Sequence, residues 1–231
     1  MDQNFINPVQ DYSVSNAQTQ FMSRVYAWMV GGLLLTAGTA YYVASSVELM
    51  ITLGSYMFIL ILAEFGLVIA LSGWVYKMSK PVAIGSFLLY SFLNGLTLSV
   101  LLMFYTQESL YKTFFIAAGM FGAISFYGTI TKRNLSGVGS FMFMGLIGII
   151  IASVVNFFMQ SSAVEFAISF LGVIIFSGLT AYDTQKIREM YVLQAQGDEI
   201  AAKGAIIGAL RLYLDFINLF LFLLRIFGSR R

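Results

Sequence analysis

The sequence predicts an all-α polytopic membrane protein: seven transmembrane helices, with the last helix central in the bundle. Three observations carry that prediction. Of 231 residues, 59% are hydrophobic and only 10% charged, and the mean hydropathy of +0.83 is far above that of soluble domains. Apolar runs of about 20 residues, the length that crosses a bilayer core as helix, recur along most of the chain. The last run carries Arg211, Asp215 and Asn218 at i, i+4 and i+7, a polar face that has to be turned away from lipid. A soluble core is excluded, because a chain of this length cannot wrap so many helices that are hydrophobic all round in a polar shell.

Residues 1–22 read as a polar N-terminal tail, and residues 23–231 as the transmembrane domain. The opening "MDQNFINPVQDYSVSNAQTQ" has no Lys or Arg and lacks the basic start and apolar centre of a cleaved signal peptide. It is expected to be short and mobile. Runs bounded by polar or turn residues then place spans at 25–46, 50–76, 82–105, 112–131, 138–159, 163–184 and 203–226. Connections between the first six are short, so neighbours should pack antiparallel. Pro81, after "KMSK", fits the first turn of the third helix, where its missing N–H is harmless. Small residues recur at packing spacing, Gly119 with Gly122, Gly145 with Gly148, and Gly204 with Gly208, although glycine is common in membrane helices. Between the last two spans the clear turn signal is "QGDE" at 196–199.

Orientation follows from Lys and Arg in the short loops. Arg24, Lys77, Lys80, Lys132, Arg133, Lys186, Arg188 and Lys203 fall on one side; Lys112, Arg225, Arg230 and Arg231 fall on the other. The excess places the N-terminus in the cytoplasm, and seven spans place the C-terminus outside. This strands the basic "RIFGSRR" end on the outer side. Either the earlier helices outvote it, the favoured reading, or the last segment re-enters instead of crossing. These residues sit in separate loops at membrane borders, which makes them anchors and leaves no nucleic-acid patch.

The chain contains no cysteine and no histidine. Thiol nucleophiles, thiolate sites, imidazole bases and the usual zinc ligands are therefore excluded, and no phosphate-binding loop or HExxH motif is present. No catalytic residue and no cofactor is expected, and carboxylates are the main titratable groups left. Glu64 lies at the middle of the second span and Asp215 near the centre of the last, where an acid costs about 2.5–3.5 kcal/mol on the mildest insertion scale. Asp183 ends the sixth span. If "TQKIREMYVLQA" extends that helix to the "QGDE" turn, an antiparallel hairpin brings Asp183 and Asp215 to one level. Two carboxylates in contact cannot both ionise cheaply, so the pair is expected to share a proton. Such a pair is either a proton-sensitive latch or a hard-cation site. Calcium takes six to eight oxygens, so backbone carbonyls, water, Ser177, Thr180, Thr184 or Glu64 would have to complete the shell. The competing reading is a buried Arg211–Asp215 pair that only fixes helix orientation.

The segments "GLTAYDTQKI" and "LYLDFINLFLFLLRIFG" resemble the signature of the Bax inhibitor family, the transmembrane Bax inhibitor motif proteins, and of its bacterial inner-membrane branch. The resemblance runs from "VYAWM" through "GMFGAISFYG" and "TKRNLSG" to the C-terminus. It implies a seven-helix fold with a central last helix, and a pH-sensitive calcium leak controlled by an aspartate pair, here Asp183 and Asp215. Calcium is then the permeant ion, and the bacterial inner membrane the location. The connection spanning residues 184–203 is longer here than in the family's bacterial members. A basic latch partner is also implied, but Lys77 and Lys80 read as loop residues and receive no role. Intramembrane aspartyl proteases share Tyr182-Asp183 yet need a glycine before the second acid, where this chain has Leu212, Tyr213 and Leu214. The remaining alternative is a stress or quality-control regulator that binds other membrane proteins without transport, docking through the tail before Arg24.

Overall fold

The computed structural model describes residues 8–229, and among them the chain is helical without strands. Eight helices follow one another: α1 (Pro8–Ala44), α2 (Val47–Ser55), α3 (Met57–Trp74), α4 (Lys80–Leu102), α5 (Gln107–Ile130), α6 (Ser136–Met159), α7 (Ser162–Glu189) and α8 (Asp198–Phe227). A 3₁₀ turn extends α3 over Val75–Lys77, and another extends α7 over Met190–Gln196. All but α2 are long and apolar enough to cross a membrane, so the protein is a polytopic all-α membrane protein with seven candidate spans.

Two expectations are corrected. The residues read as a polar tail are helical from Pro8 onward, because Phe21, Met22 and Val25 are buried and hold α1 against the rest of the bundle well before the apolar run begins. Residues 1–7 of that tail, and Arg230 and Arg231 of the C-terminal basic cluster, lie outside the described residues. The span expected over 50–76 breaks at Tyr56. Ser46 accepts a hydrogen bond from the Leu49 N–H and starts the nine-residue α2, whose last turn closes as the Tyr56 N–H bonds the Leu53 carbonyl. Apolarity continues through this break, so hydropathy could not show it. The hairpin signal holds: Gly197 adopts φ 109°, a conformation glycine enters without strain, and α8 starts at the next residue.

The last helix is central. It packs against α1, α4, α5 and α7, and 72% of its apolar window is buried, against 11% for α3 and for α6. Its cover is nearly complete, which revises the expectation of one polar face directed inward. Arg211, Leu214, Asn218 and Arg225 form the less covered stripe, while Asp215 on its edge is buried. Phe216 and Leu223, on other sides of the helix, are buried as well.

Without water, helices in lipid associate through close packing and polar contacts, which favours small residues at crossings. A Cβ at Gly208 would lie 2.9 Å from Ile187 and 3.3 Å from Val25, so α8, α7 and α1 meet there. Gly128 is tighter still: a Cβ would lie 2.5 Å from the Ala181 carbonyl oxygen, a backbone atom that cannot swing aside. Of the glycines singled out from spacing, Gly145, Gly204 and Gly208 stand at such contacts, whereas Gly119, Gly122 and Gly148 face open space. We therefore expect Gly128→Ala to lower the thermal midpoint in detergent by a few degrees, corresponding to about 1–3 kcal/mol of overpacking. Gly119→Ala should leave it within one degree or raise it, and equal midpoints for the two variants would contradict the close α5–α7 crossing.

Candidate functional site

The site is built where the C-terminal half of α7 runs beside α8. Asp183 on α7 is partly exposed, its side chain 18% accessible, and the Arg211 guanidinium of α8 approaches its Oδ1 at 3.8 Å. Asp215, one turn after Arg211, is 4% accessible, and its Oδ2 is buried without a hydrogen-bond partner. Both Asp183 and Arg211 are close enough to act on Asp215 electrostatically. The structure thus places Asp183, Asp215 and Arg211 within electrostatic reach of one another where α7 and α8 pack together. It pairs Arg211 with Asp183, across helices, and not with Asp215 along its own. No hydrogen bond joins the two aspartates among the described residues, so the arrangement is a juxtaposition of acids and not a closed latch.

Other candidate residues are committed elsewhere. The hydroxyls of Ser177 and Thr180 bond back to the Val173 and Phe176 carbonyls at 2.7 Å each, and Asn218 donates to the Leu214 carbonyl at 2.8 Å. Such bonds to the residue four back are how short polar side chains satisfy themselves inside a helix. Thr184 is 3.0 Å from Ser125, which is in turn 2.5 Å from the Tyr26 hydroxyl, so its oxygen belongs to a chain linking α7, α5 and α1. Glu64 is half-buried on α3 and accepts from Thr97 at 2.5 Å and from Asn94 at 3.5 Å, both on α4. It forms a separate cluster, and the idea that Glu64, Thr180 or Thr184 completes a calcium shell is not realised in this arrangement. Among the described residues no group of three or more His, Cys, Asp or Glu side chains is placed to hold a metal. Two carboxylates supply at most four oxygens, short of the six to eight that a resident calcium ion takes.

Several residues escaped the sequence reading. Tyr213, fully buried, places its hydroxyl 2.6 Å from Thr36, which also donates to the Ser91 carbonyl at 2.8 Å. Its ring stands edge-on to Phe87 and Tyr90 at 6.0 and 5.7 Å. This ties α8 to α1 and α4 two residues before Asp215. Gln185 accepts from the Leu135 N–H at 2.9 Å and donates to the Arg133 carbonyl at 2.8 Å, and Arg188 donates to the Thr129 carbonyl. Gln185 thus clamps the "TKRNL" loop, and Arg188 the last turn of α5, to α7 just past Asp183. The signal available for Thr36, Ser91, Asn94 and Ser125 was their depth in apolar runs, where an unpaired polar group is penalised; depth alone does not name the partner.

A family profile described as inhibitor of apoptosis-promoting Bax1 matches residues 18–231. The chain is 52% identical to the inner membrane protein YbhL of Escherichia coli K12, covering 91% of this chain and 92% of that protein. It is 48% identical to an uncharacterized protein of Borreliella burgdorferi over 93% and 94% of the two chains. An uncharacterized protein of Deinococcus radiodurans is 44% identical over 91% and 90%.

Two outcomes test this geometry. Tyr213→Phe and Thr36→Val should each destabilise by about 0.5–1.5 kcal/mol with strong non-additivity in the double variant, because both remove one bond; additive losses would place the two residues apart. Glu64→Gln keeps an acceptor for Thr97 and should express and melt like wild type. Glu64→Leu strands the Thr97 and Asn94 donors and should cost about 1–3 kcal/mol; a wild-type melt for Glu64→Leu would remove the α3–α4 cluster from the account.

Proposed function

The chain belongs to the Bax inhibitor family, and from that premise we propose that it is a pH-sensitive cation leak, permeable to calcium, gated by Asp183 and Asp215 in a bacterial inner membrane. The observation that carries this reading is Asp215 itself. An acid without a hydrogen-bond partner on one oxygen, buried in the central helix of a membrane bundle, is expensive enough to be a functional group by default. Asp183 and Arg211 beside it supply what a gate needs: a second carboxylate to share or repel charge, and one counter-ion whose charge acts on both acids and pairs directly with Asp183. Ionising both acids sets two negative charges against each other where the dielectric is low; protonating both removes the charge that pairs with Arg211. Each change alters the force between α7 and α8 at the level of the site.

Permeation in this reading uses the stripe of α8 that neighbours cover least, from Arg211 past Asn218 to Arg225. At the end opposite to Lys80 and Asp198 it opens on a cavity of about 470 Å³ lined by Asn156, Glu165, Tyr105 and Arg225. A cation passes Asp183 and Asp215 partly hydrated, consistent with a donor set too small for a resident ion. The N-terminus lies in the cytoplasm and the C-terminus outside, as the distribution of Lys and Arg favours. No catalytic step and no resident cofactor enters the mechanism.

Calcium efflux from sealed proteoliposomes, measured with wild type, Asp183→Asn and Asp215→Asn from about pH 5 to 8, tests the proposal; this is the window in which a carboxylate pair sharing a proton titrates. Wild-type flux should depend on pH, and both single variants should lose that dependence. An unchanged pH profile in both variants would make the pair structural. Absence of flux from folded wild type would leave regulation through other membrane proteins as the family role.

A further inference from the structure

At the end of the bundle where α4 and α8 begin, a cavity of about 310 Å³ opens between α1, α4 and α8. Its rim carries Arg24 and Lys80, with Trp28 beside them, and its floor is apolar, made by Ile84, Ala202 and Ile206. Both cationic side chains are exposed, and among the described residues neither has an ion-pair partner. One acid, Asp198, also lines the cavity. Glu199 is engaged by Lys203 at 2.8 Å and also interacts with the backbone and the charge of Lys80, so it compensates Lys80 in part and leaves the rim with a modest excess of positive charge. The starts of α4 and α8 add partial positive charge to the same opening.

We propose that this cavity is a binding site for the headgroup of an anionic phospholipid, with the phosphate between Arg24 and Lys80 and the glycerol and first acyl carbons on the Ile84, Ala202 and Ile206 floor. The occupant follows from three properties combined. The rim sets two cations against one lining acid, Asp198, the floor is apolar, and the opening lies where α4 and α8 begin, at the membrane border, with Trp28 at the depth that interfacial aromatic residues favour. A soluble phosphate would use the rim alone, and an acyl chain alone would use only the floor. Basic pockets between membrane helices are where acidic headgroups are held. The site touches α8 at Ala202, one turn from its start, so bound lipid joins the first turns of the central helix to α1 and α4. This inference does not depend on the cation-leak reading, since it concerns the opposite end of α8 from the cavity at Arg225 and is read by binding and not by flux.

The full chain, purified in micelles containing equal phosphatidylglycerol and phosphatidylcholine, should retain phosphatidylglycerol in native mass spectra, and Arg24→Ala with Lys80→Ala should reduce that retention about thirtyfold. Ala202→Phe, which fills the floor and keeps both cations, should also lose it. Lys132→Ala with Arg133→Ala, equal in charge change but outside the cavity, should not. Equal losses in the two double variants would reduce the effect to diffuse surface charge and overturn the site. Equal thermal stabilisation of wild type by inorganic phosphate and by phosphatidylglycerol would overturn the lipid assignment, and retention of phosphatidylcholine at the same level would do so as well.

Discussion

Inside a bilayer a polar side chain has no water to turn to, and every such group must be answered by protein or endure the full penalty of being alone. The architecture of this chain follows from how α8 meets that demand. The helix carries Arg211, Tyr213, Asp215 and Asn218 within two turns of each other, and seven other helices cannot all surround it, so each group is answered from a different side. Tyr213 is met by Thr36 of α1, which also bonds α4 at Ser91. Asn218 turns back on its own helix. Arg211 reaches across to Asp183 of α7. Asp215 is the one whose oxygen is left without a partner.

That distribution separates scaffold from site. Tyr213 is held by a hydrogen bond and by edge-on rings of Phe87 and Tyr90, which fix the rotation of α8 two residues before Asp215. Gln185 holds the α5–α6 loop, and Arg188 the last turn of α5, to α7 just beyond Asp183. The two acids are therefore carried on helices that are tied to their neighbours by these bonds, while Asp215 keeps one buried oxygen without a partner.

Close packing completes the frame. Helices in lipid gain little from hiding apolar surface, so approach distance is what matters: Gly128 lets α5 close on the backbone of α7 at Ala181, and Gly208 makes room for the Ile187 and Val25 side chains. The bundle is correspondingly uneven. The face of α3 and α6 toward lipid is almost uncovered, and α2 is a short helix added between α1 and α3.

The number of long spans and the centrality of the last helix were legible in the sequence alone. The spans rest on run length, which a membrane fixes, and the place of the last helix was inferred from its polar positions, although Arg211 and Asn218 lie on its least covered stripe. The break at Tyr56 was not legible, because apolarity is continuous there, and neither was the helical state of residues 8–22, whose polar composition hid the anchoring role of Phe21 and Met22. Only the tertiary structure decided that Arg211 pairs with Asp183, that Glu64 belongs to Thr97 and Asn94, and that Thr184 is committed to Ser125. It alone placed Arg24 beside Lys80 at one cavity. The reason is that helix rotation is set by contacts between distant positions, as Thr36 and Tyr213 meet across 177 residues, and a single sequence records which groups need partners without recording which partner each one finds.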